Sequence, residues 1–118
     1  MNTQKRKQQL EGCYVTIPTP FADEPGYPIA EEVLRSYVRF LIENGLNEER
    51  ATFLAAGAAG DFSTMTFDER VRVASVVIEE VAGRGPVAMG AQTTSTLELI
   101  RLAEAAQSLG ADFIQVSC

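Results

Sequence analysis

Short apolar segments alternate with amphipathic segments along this chain, and the alternation limits the folds it can adopt. The apolar runs are short and continuous, which is typical of strands buried on both faces of a sheet. We predict four strands, at residues 13–17, 52–56, 86–90 and 113–118. We predict three helices, at residues 31–44 and 67–82 and from residue 96 to the glycine at 110.

One helix separates each strand from the next, and the loop from each helix to the following strand is short. Consecutive strands joined in this way run parallel. Gly45, Gly83 and Gly110 each follow a predicted helix, and the next strand begins a few residues later. Such strands are joined by right-handed crossovers. A doubly wound sheet, a small flavodoxin-like sheet and part of a (β/α)8 barrel all satisfy this pattern.

The last predicted strand favours the barrel, because no helix follows to cover it and an open apolar edge promotes aggregation. A complete barrel needs roughly 250 residues, and this chain has 118. We therefore predict an α/β fold, the N-terminal half of a (β/α)8 TIM barrel with four parallel strands and three helices. Residues 1–11 are expected to be a disordered or loosely packed tail, and residues 12–118 the partial barrel.

Charge and composition exclude several classes of function. The net charge is −6, with basic residues at Lys5, Arg6 and Lys7 and all 16 acids after them, which disfavours nucleic acid or membrane as a partner. There is no histidine and there are two cysteines, so no Cys/His zinc site, and no metal or other cofactor, is expected. The N-terminus lacks an apolar secretory stretch, and we expect a cytoplasmic location. Cys13 is expected to be a buried strand residue.

The turn after the second strand is the strongest candidate site. It reads Gly57-Ala58-Ala59-Gly60 and is followed by Asp61. Ligands of parallel α/β proteins bind beyond the carboxyl ends of strands, and small residues let backbone N–H groups approach an anion. The alternative is a tight connection that small side chains allow to pack.

Six short motifs follow one another at regular spacing and carry a family resemblance. They are Thr19-Pro20-Phe21, Gly57-Ala58-Ala59-Gly60-Asp61, M-T-F-D-E-R at 65–70, G-R-G-P-V-A-M-G at 83–90, S-T-L-E-L-I at 95–100 and Gly110-Ala111-Asp112. From about residue 12 to residue 118 the chain resembles the N-terminal half of the dihydrodipicolinate synthase / N-acetylneuraminate lyase superfamily. These proteins are class I aldolase-type barrels.

The resemblance implies a homo-oligomeric lyase, a dimer or tetramer, that acts on a small 2-keto acid or sugar acid without a cofactor. A lysine on the sixth strand would form the Schiff base and a tyrosine on the fifth would relay protons. Both are expected beyond Cys118, so the resemblance implies no catalytic residue in this chain. It implies that Gly57, Ala58, Ala59 and Gly60 bind the substrate carboxylate. Asp61 and Thr19 are expected to support that loop, the alternatives being a solvated turn aspartate and a turn residue before Pro20.

The chain departs from the family pattern at Ala58 and Ala59, where relatives have Thr or Ser. Alanine keeps its N–H group but has no hydroxyl, which argues against a synthase of the lysine-biosynthesis type and favours a divergent or inactive member. The alternative function is a non-catalytic half-barrel that binds or interacts, or a pseudoenzyme. Gln92, Thr93 and Thr94 would line the substrate mouth or serve only the next helix. We expect the 118 residues alone to lack lyase activity and to self-associate.

Overall fold

The computed structural model describes residues 2–47 and 50–117, which form one sheet covered by helices. The strands are β1 Cys13–Thr16, β2 Ala51–Ala55, β3 Val87–Gly90 and β4 Phe113–Gln115. The helices are α1 Thr3–Gln9, α2 Glu31–Glu43, α3 Phe67–Val81 and α4 Thr96–Leu109. All four predicted strands and all three predicted helices are present, while the predicted end of the last strand, Cys118, lies outside the described residues.

The order of the strands separates the alternative topologies. The four strands lie in the order β1-β2-β3-β4 and every neighbouring pair is parallel. A doubly wound or flavodoxin-like sheet places a later strand on the other side of the first one. The described strands show no such reversal, and successive right-handed crossovers place α2, α3 and α4 on one face of the sheet. This is the arrangement of a barrel segment.

The core lies between the sheet and this layer of helices. Phe53 and Met89 contribute fully buried side chains from the central strands. Leu34 and Val38 on α2, and Val77 on α3, meet them from the helix side and are equally buried. These helix residues belong to the apolar stripes that the sequence shows. One face of the sheet is therefore covered by the helices.

The N-terminal segment contains a helix that the sequence did not predict. Residues 1–11 were expected to be a disordered or loosely packed tail, but α1 is helical, so the described residues hold four helices. The hydroxyl of Thr52 donates to the carbonyl of Gln9 at 2.8 Å. Arg6 pairs with Asp112 at 3.0 Å and lies over the ring of Phe113. These contacts fix α1 against the amino-terminal end of the sheet.

The outer strand β1 leaves side chains uncovered. Cys13 lies in β1 as expected, but the prediction that it is buried is wrong because β1 is an edge strand in the described part of the chain. Tyr14 is exposed as well. None of the helices within residues 2–47 and 50–117 is long and apolar enough to cross a bilayer.

Candidate functional site

The turn after β2 is held between two left-handed residues. The chain leaves the strand at Ala56, with φ of 54°, and passes through a 3₁₀ turn at Ala58–Gly60 to Asp61, with φ of 60°. Non-glycine residues adopt this conformation at a cost of roughly 1–2 kcal/mol, so the surrounding packing must enforce it. Ala58 and Ala59 reach the surface while the glycines on either side of them are buried. We call residues 57–60 the cradle.

The two cradle glycines are required by close packing. A Cβ atom on Gly57 would lie 2.4 Å from Cδ2 of Leu54, and one on Gly60 would lie 2.9 Å from the carbonyl oxygen of Ile17. Contacts this short do not occur in folded proteins without movement of one partner. The tight connection that the sequence left open as an alternative therefore accounts for both glycines, and they are not by themselves evidence for an anion.

The N–H groups of the two alanines point to binding more directly. Within the cradle, Gly60 N–H donates to the carbonyl of Gly57 and Asp61 N–H donates to that of Ala58. The N–H groups of Ala58 and Ala59 have no backbone acceptor among residues 2–47 and 50–117. The first N–H groups of a helical turn lack internal partners. Two adjacent free donors on small, exposed residues suit a carboxylate.

Thr19 connects the end of the first strand to the cradle. Its side chain is buried, and Oγ1 donates to the carbonyl of Gly60 at 2.7 Å. Asp61 differs, because its carboxylate is exposed and has no hydrogen bond within the described residues. Its carbonyl accepts from Oγ1 of Thr64 at 3.0 Å. What Asp61 contributes to the turn is the left-handed backbone conformation, which aspartate adopts more readily than most residues.

A cleft of about 870 Å³ opens between the β2–α3 and β3–α4 loops, with Phe62 and Ser63 in its wall but none of the cradle residues. The structure brings Gln92, Thr93 and Thr94 together in its wall, where the sequence had placed them at a substrate mouth or in helix capping. The hydroxyl of Thr93 accepts from the N–H of Ser95, as the helix-end alternative expects, while its place at a substrate mouth stays a prediction. Ser95 in turn caps α4.

Arg70 is the residue in this region that sequence reasoning passed over. Its side chain is 5% exposed, and its two terminal nitrogens donate to the carbonyls of Gly90 and Gln92, each at 2.9 Å. The guanidinium carbon lies 5.0 Å from the ring centre of Phe62. Nε has no partner among the described atoms. Burial lowers the pKa of Arg70, and the nearby charge of Glu98 opposes this.

A signal for Arg70 was present in the sequence. Position 70 falls on the buried stripe of α3, three and four residues before Val73 and Ala74. An arginine on an apolar stripe is unusual, because charged side chains are almost never fully buried without a partner. The sequence comparison used Arg70 only as the last residue of the motif at 65–70, and so missed the conflict between its charge and its buried position.

Residues 9–116 match the model of the dihydrodipicolinate synthetase family. A 4-hydroxy-tetrahydrodipicolinate synthase from Chloroherpeton thalassium is 38% identical over 109 residues, which are 92% of this chain and 34% of that protein. One from Pelobacter propionicus is 40% identical over 103 residues, 87% of this chain and 33% of that protein. The crystal structure of chloride-inhibited dihydrodipicolinate synthase from Acinetobacter baumannii, complexed with pyruvate, aligns with a TM-score of 0.80 at 32% identity, covering 89% of this chain and 34% of that one.

The chain spans about a third of the length of these relatives and corresponds to their N-terminal part. The structural relatives are (β/α)8 barrels, so the four parallel strands are the first part of such a barrel, as predicted. The prediction of half a barrel is correct for the number of strands, since the described residues hold four of the eight in a complete barrel. Measured by chain length, the chain is only about a third of its relatives.

Proposed function

This chain belongs to the dihydrodipicolinate synthetase family, and on that premise we propose that it is the N-terminal portion of a Schiff-base lyase, aldolase or dehydratase that acts on a 2-keto acid. The observation that carries the proposal is the pair of free N–H groups at Ala58 and Ala59, at the carboxyl end of β2. In barrels of this kind active sites lie at that end. Similarity to a synthase solved with pyruvate supports the same class of substrate.

The chemistry divides between this chain and the remainder of the barrel. A lysine amine attacks the 2-keto carbon, water leaves, and the resulting iminium withdraws electrons from the neighbouring bond. Carbon–carbon cleavage, carbon–carbon formation or dehydration can follow. The two lysines of this chain are Lys5 and Lys7, in the α1 segment at the opposite end of the sheet. The reacting lysine and the relay tyrosine are therefore assigned to residues beyond Cys118.

The role of this chain is to hold the carboxylate next to the carbonyl that reacts. Backbone N–H groups fixed by a rigid turn bind a carboxylate with little loss of conformational entropy, since the donors are already ordered. Thr19 contributes by bonding to Gly60 and so fixing the last residue of the cradle. Gly57 and Gly60 let the turn pack closely enough to present the two alanines.

The lack of side-chain hydroxyl groups at positions 58 and 59 limits the reactions that this loop can support. Ala58 and Ala59 offer no side-chain donor, and the hydroxyls of Thr19 and Thr64 donate to backbone carbonyls of the same loop. A proton relay through side chains at positions 58 and 59 is thus excluded, whereas carboxylate binding is not. We assign the protein to a branch that uses a keto acid or sugar acid without a relay at this loop.

A non-catalytic interaction module, or a pseudoenzyme, is the second candidate. The observation that favours it is the exposure of apolar side chains on both edge strands and just beyond: Tyr14 is 45% exposed, Ile114 42% and Val116 51%. Another half-barrel, or the remainder of this one, would cover them. Assembly into a dimer or tetramer and a cytoplasmic location remain predictions.

Borohydride trapping separates the two candidates. The protein as encoded by its complete gene is incubated with pyruvate, reduced with borohydride and mapped by mass spectrometry. The enzyme proposal predicts a covalent adduct on a lysine beyond residue 118, and none when the 118 residues are treated alone. An adduct on Lys5 or Lys7, or no adduct on the complete protein, contradicts it.

A further inference from the structure

We propose that Arg70 is a positioning residue for the cradle. Its guanidinium fixes the carboxyl end of β3 and the following loop against the β2–α3 loop, and so sets the geometry in which Ala58 and Ala59 meet a carboxylate. This inference rests on the proposed function, because it concerns the same substrate site.

The guanidinium joins the end of β3 and the loop after it to the β2–α3 loop. Nη2 donates to Gly90, the last residue of β3, and Nη1 donates to Gln92 in the β3–α4 loop. The guanidinium carbon lies 5.0 Å from the ring centre of Phe62, two residues after the cradle. A planar group with several fixed donors can bind two carbonyls and contact an aromatic ring at once, which a lysine ammonium does less well.

The contact with Gly90 transmits this position to the cradle. A Cβ atom at Gly90 would lie 2.1 Å from the carbonyl oxygen of Ala56 and 3.1 Å from Cα of Gly57. The backbone of β3 therefore touches the backbone that enters the cradle, with no side chain between them. When Arg70 holds the carbonyl of Gly90, a shift of that strand end would have to displace Ala56 and Gly57 as well.

Stability alone does not explain a charge at this position. A buried cation costs free energy unless it is paired, and Arg70 bonds to carbonyls while its Nε is unpartnered. Glu98 is the acid whose charge acts on it, but the Glu98 carboxylate is bound by Arg101 at 3.0 Å. An apolar side chain of similar length would fill the space at lower cost but would leave the two carbonyls unheld.

Two substitutions of Arg70 and two matched controls test the inference on the protein as encoded by its complete gene. R70M removes the donors and the charge, while R70K keeps the charge but not the planar group. R72M changes the charge equally on the same helix, at a residue whose partner is the partly exposed Glu31. Val77→Ala lowers stability by leaving a cavity in the hydrophobic core and removes no polar group.

Two measurements are made on each variant. Amide hydrogen exchange at Gly60 and Asp61 is recorded without ligand, as a ratio to exchange in the core of α3. Pyruvate affinity is obtained by NMR titration. We expect R70M and R70K to raise the exchange ratio at least tenfold and to weaken pyruvate binding at least fivefold. R72M and Val77→Ala should not raise the exchange ratio and should leave the affinity within twofold of wild type.

The possible results are distinguishable. An unchanged exchange ratio in R70M and R70K overturns the positioning role, and so does an equal effect of Val77→Ala, which would mean a loss of general stability. Wild-type affinity in R70K would show that charge matters and not the planar group, which also contradicts the inference. If R70M does not fold, R70K decides alone. If the wild-type chain binds no pyruvate, the proposed function fails, while the exchange ratios still test the position of the cradle.

Discussion

Gly90→Ala is the glycine substitution for which the structure predicts the largest loss at the site. The added methyl would lie 2.1 Å from the carbonyl oxygen of Ala56, where ordinary contact is 3.4–4 Å. The opposing atoms are backbone and cannot rotate away. Overfilling a packed site costs about 1–3 kcal/mol, and we place this case near 3. For a chain of this size that lowers the melting temperature by about 12 °C, at roughly 4 °C per kcal/mol.

Gly57→Ala is the matched comparison, because the new methyl would meet a side chain. The nearest atom is Cδ2 of Leu54 at 2.4 Å, and we expect a loss of about 1 kcal/mol. Truncating Leu54 to alanine costs about 2–5 kcal/mol by itself. In the double variant the clash disappears, so its loss should be smaller than the sum of the single losses by about 1 kcal/mol.

Urea unfolding followed by circular dichroism measures the stability of the wild type and of these four variants. A Gly90→Ala variant as stable as wild type would refute the argument that the β3 backbone rests against the entry to the cradle. Additive losses in the Gly57→Ala and Leu54→Ala cycle would refute the packing explanation for Gly57. In both cases the glycines would need another reason, and direct approach of a ligand would become the stronger one.

Two further predictions concern one buried contact and one exposed contact. Thr19→Val leaves the carbonyl of Gly60 without its donor and should cost about 1–3 kcal/mol in urea unfolding, whereas Thr19→Ser should keep most of the stability. The hydrogen bond from Arg35 lowers the pKa of Glu79, so the stability it contributes is complete above the unfolded value and is lost as pH falls through the lowered one. Between about pH 6 and pH 3 the melting temperature of the wild type should therefore fall by more than that of E79Q. Equal decreases would contradict a stabilising ion pair between Arg35 and Glu79.

The architecture was predictable because its signals are local. Apolar runs, helical stripes and the glycines that end helices fix the type of each element within a few residues. The capping box at Thr66 and Glu69 is present, and the predicted start of α3 is correct. Strand order is not a local property, and the choice of a barrel over a doubly wound sheet rested on the uncovered last strand until the sheet order and the relatives confirmed it.

The features that the sequence missed depend on contacts between distant residues. Helix α1 has no apolar stripe, and it is held by Thr52 and Asp112, which lie far along the chain. Burial of Cys13 was expected from its strand, but burial depends on what lies beside the strand and not on its residues. The conflict between charge and buried position at Arg70 could be read from the sequence, but the carbonyls that it binds belong to β3 and the loop after it, about 20 residues along the chain.

The turn that the sequence singled out follows the carboxyl end of β2, and the structure gives its glycines a different reason. The glycines were read as allowing a ligand to approach, and they are instead required where backbone packs on backbone or on Leu54. The free N–H groups of Ala58 and Ala59 depend on the 3₁₀ conformation, which the letters alone do not specify. Their binding of a carboxylate stays a prediction.

Titration of the ¹⁵N-labelled chain with pyruvate tests that binding most directly. We predict saturable shifts of the Ala58 and Ala59 amide signals, smaller shifts at the core of α3, and no comparable effect of an uncharged analogue that lacks the carboxylate. Shifts confined to other residues, or no shift of these two amides at saturating pyruvate, would contradict the assignment of the cradle as the carboxylate site.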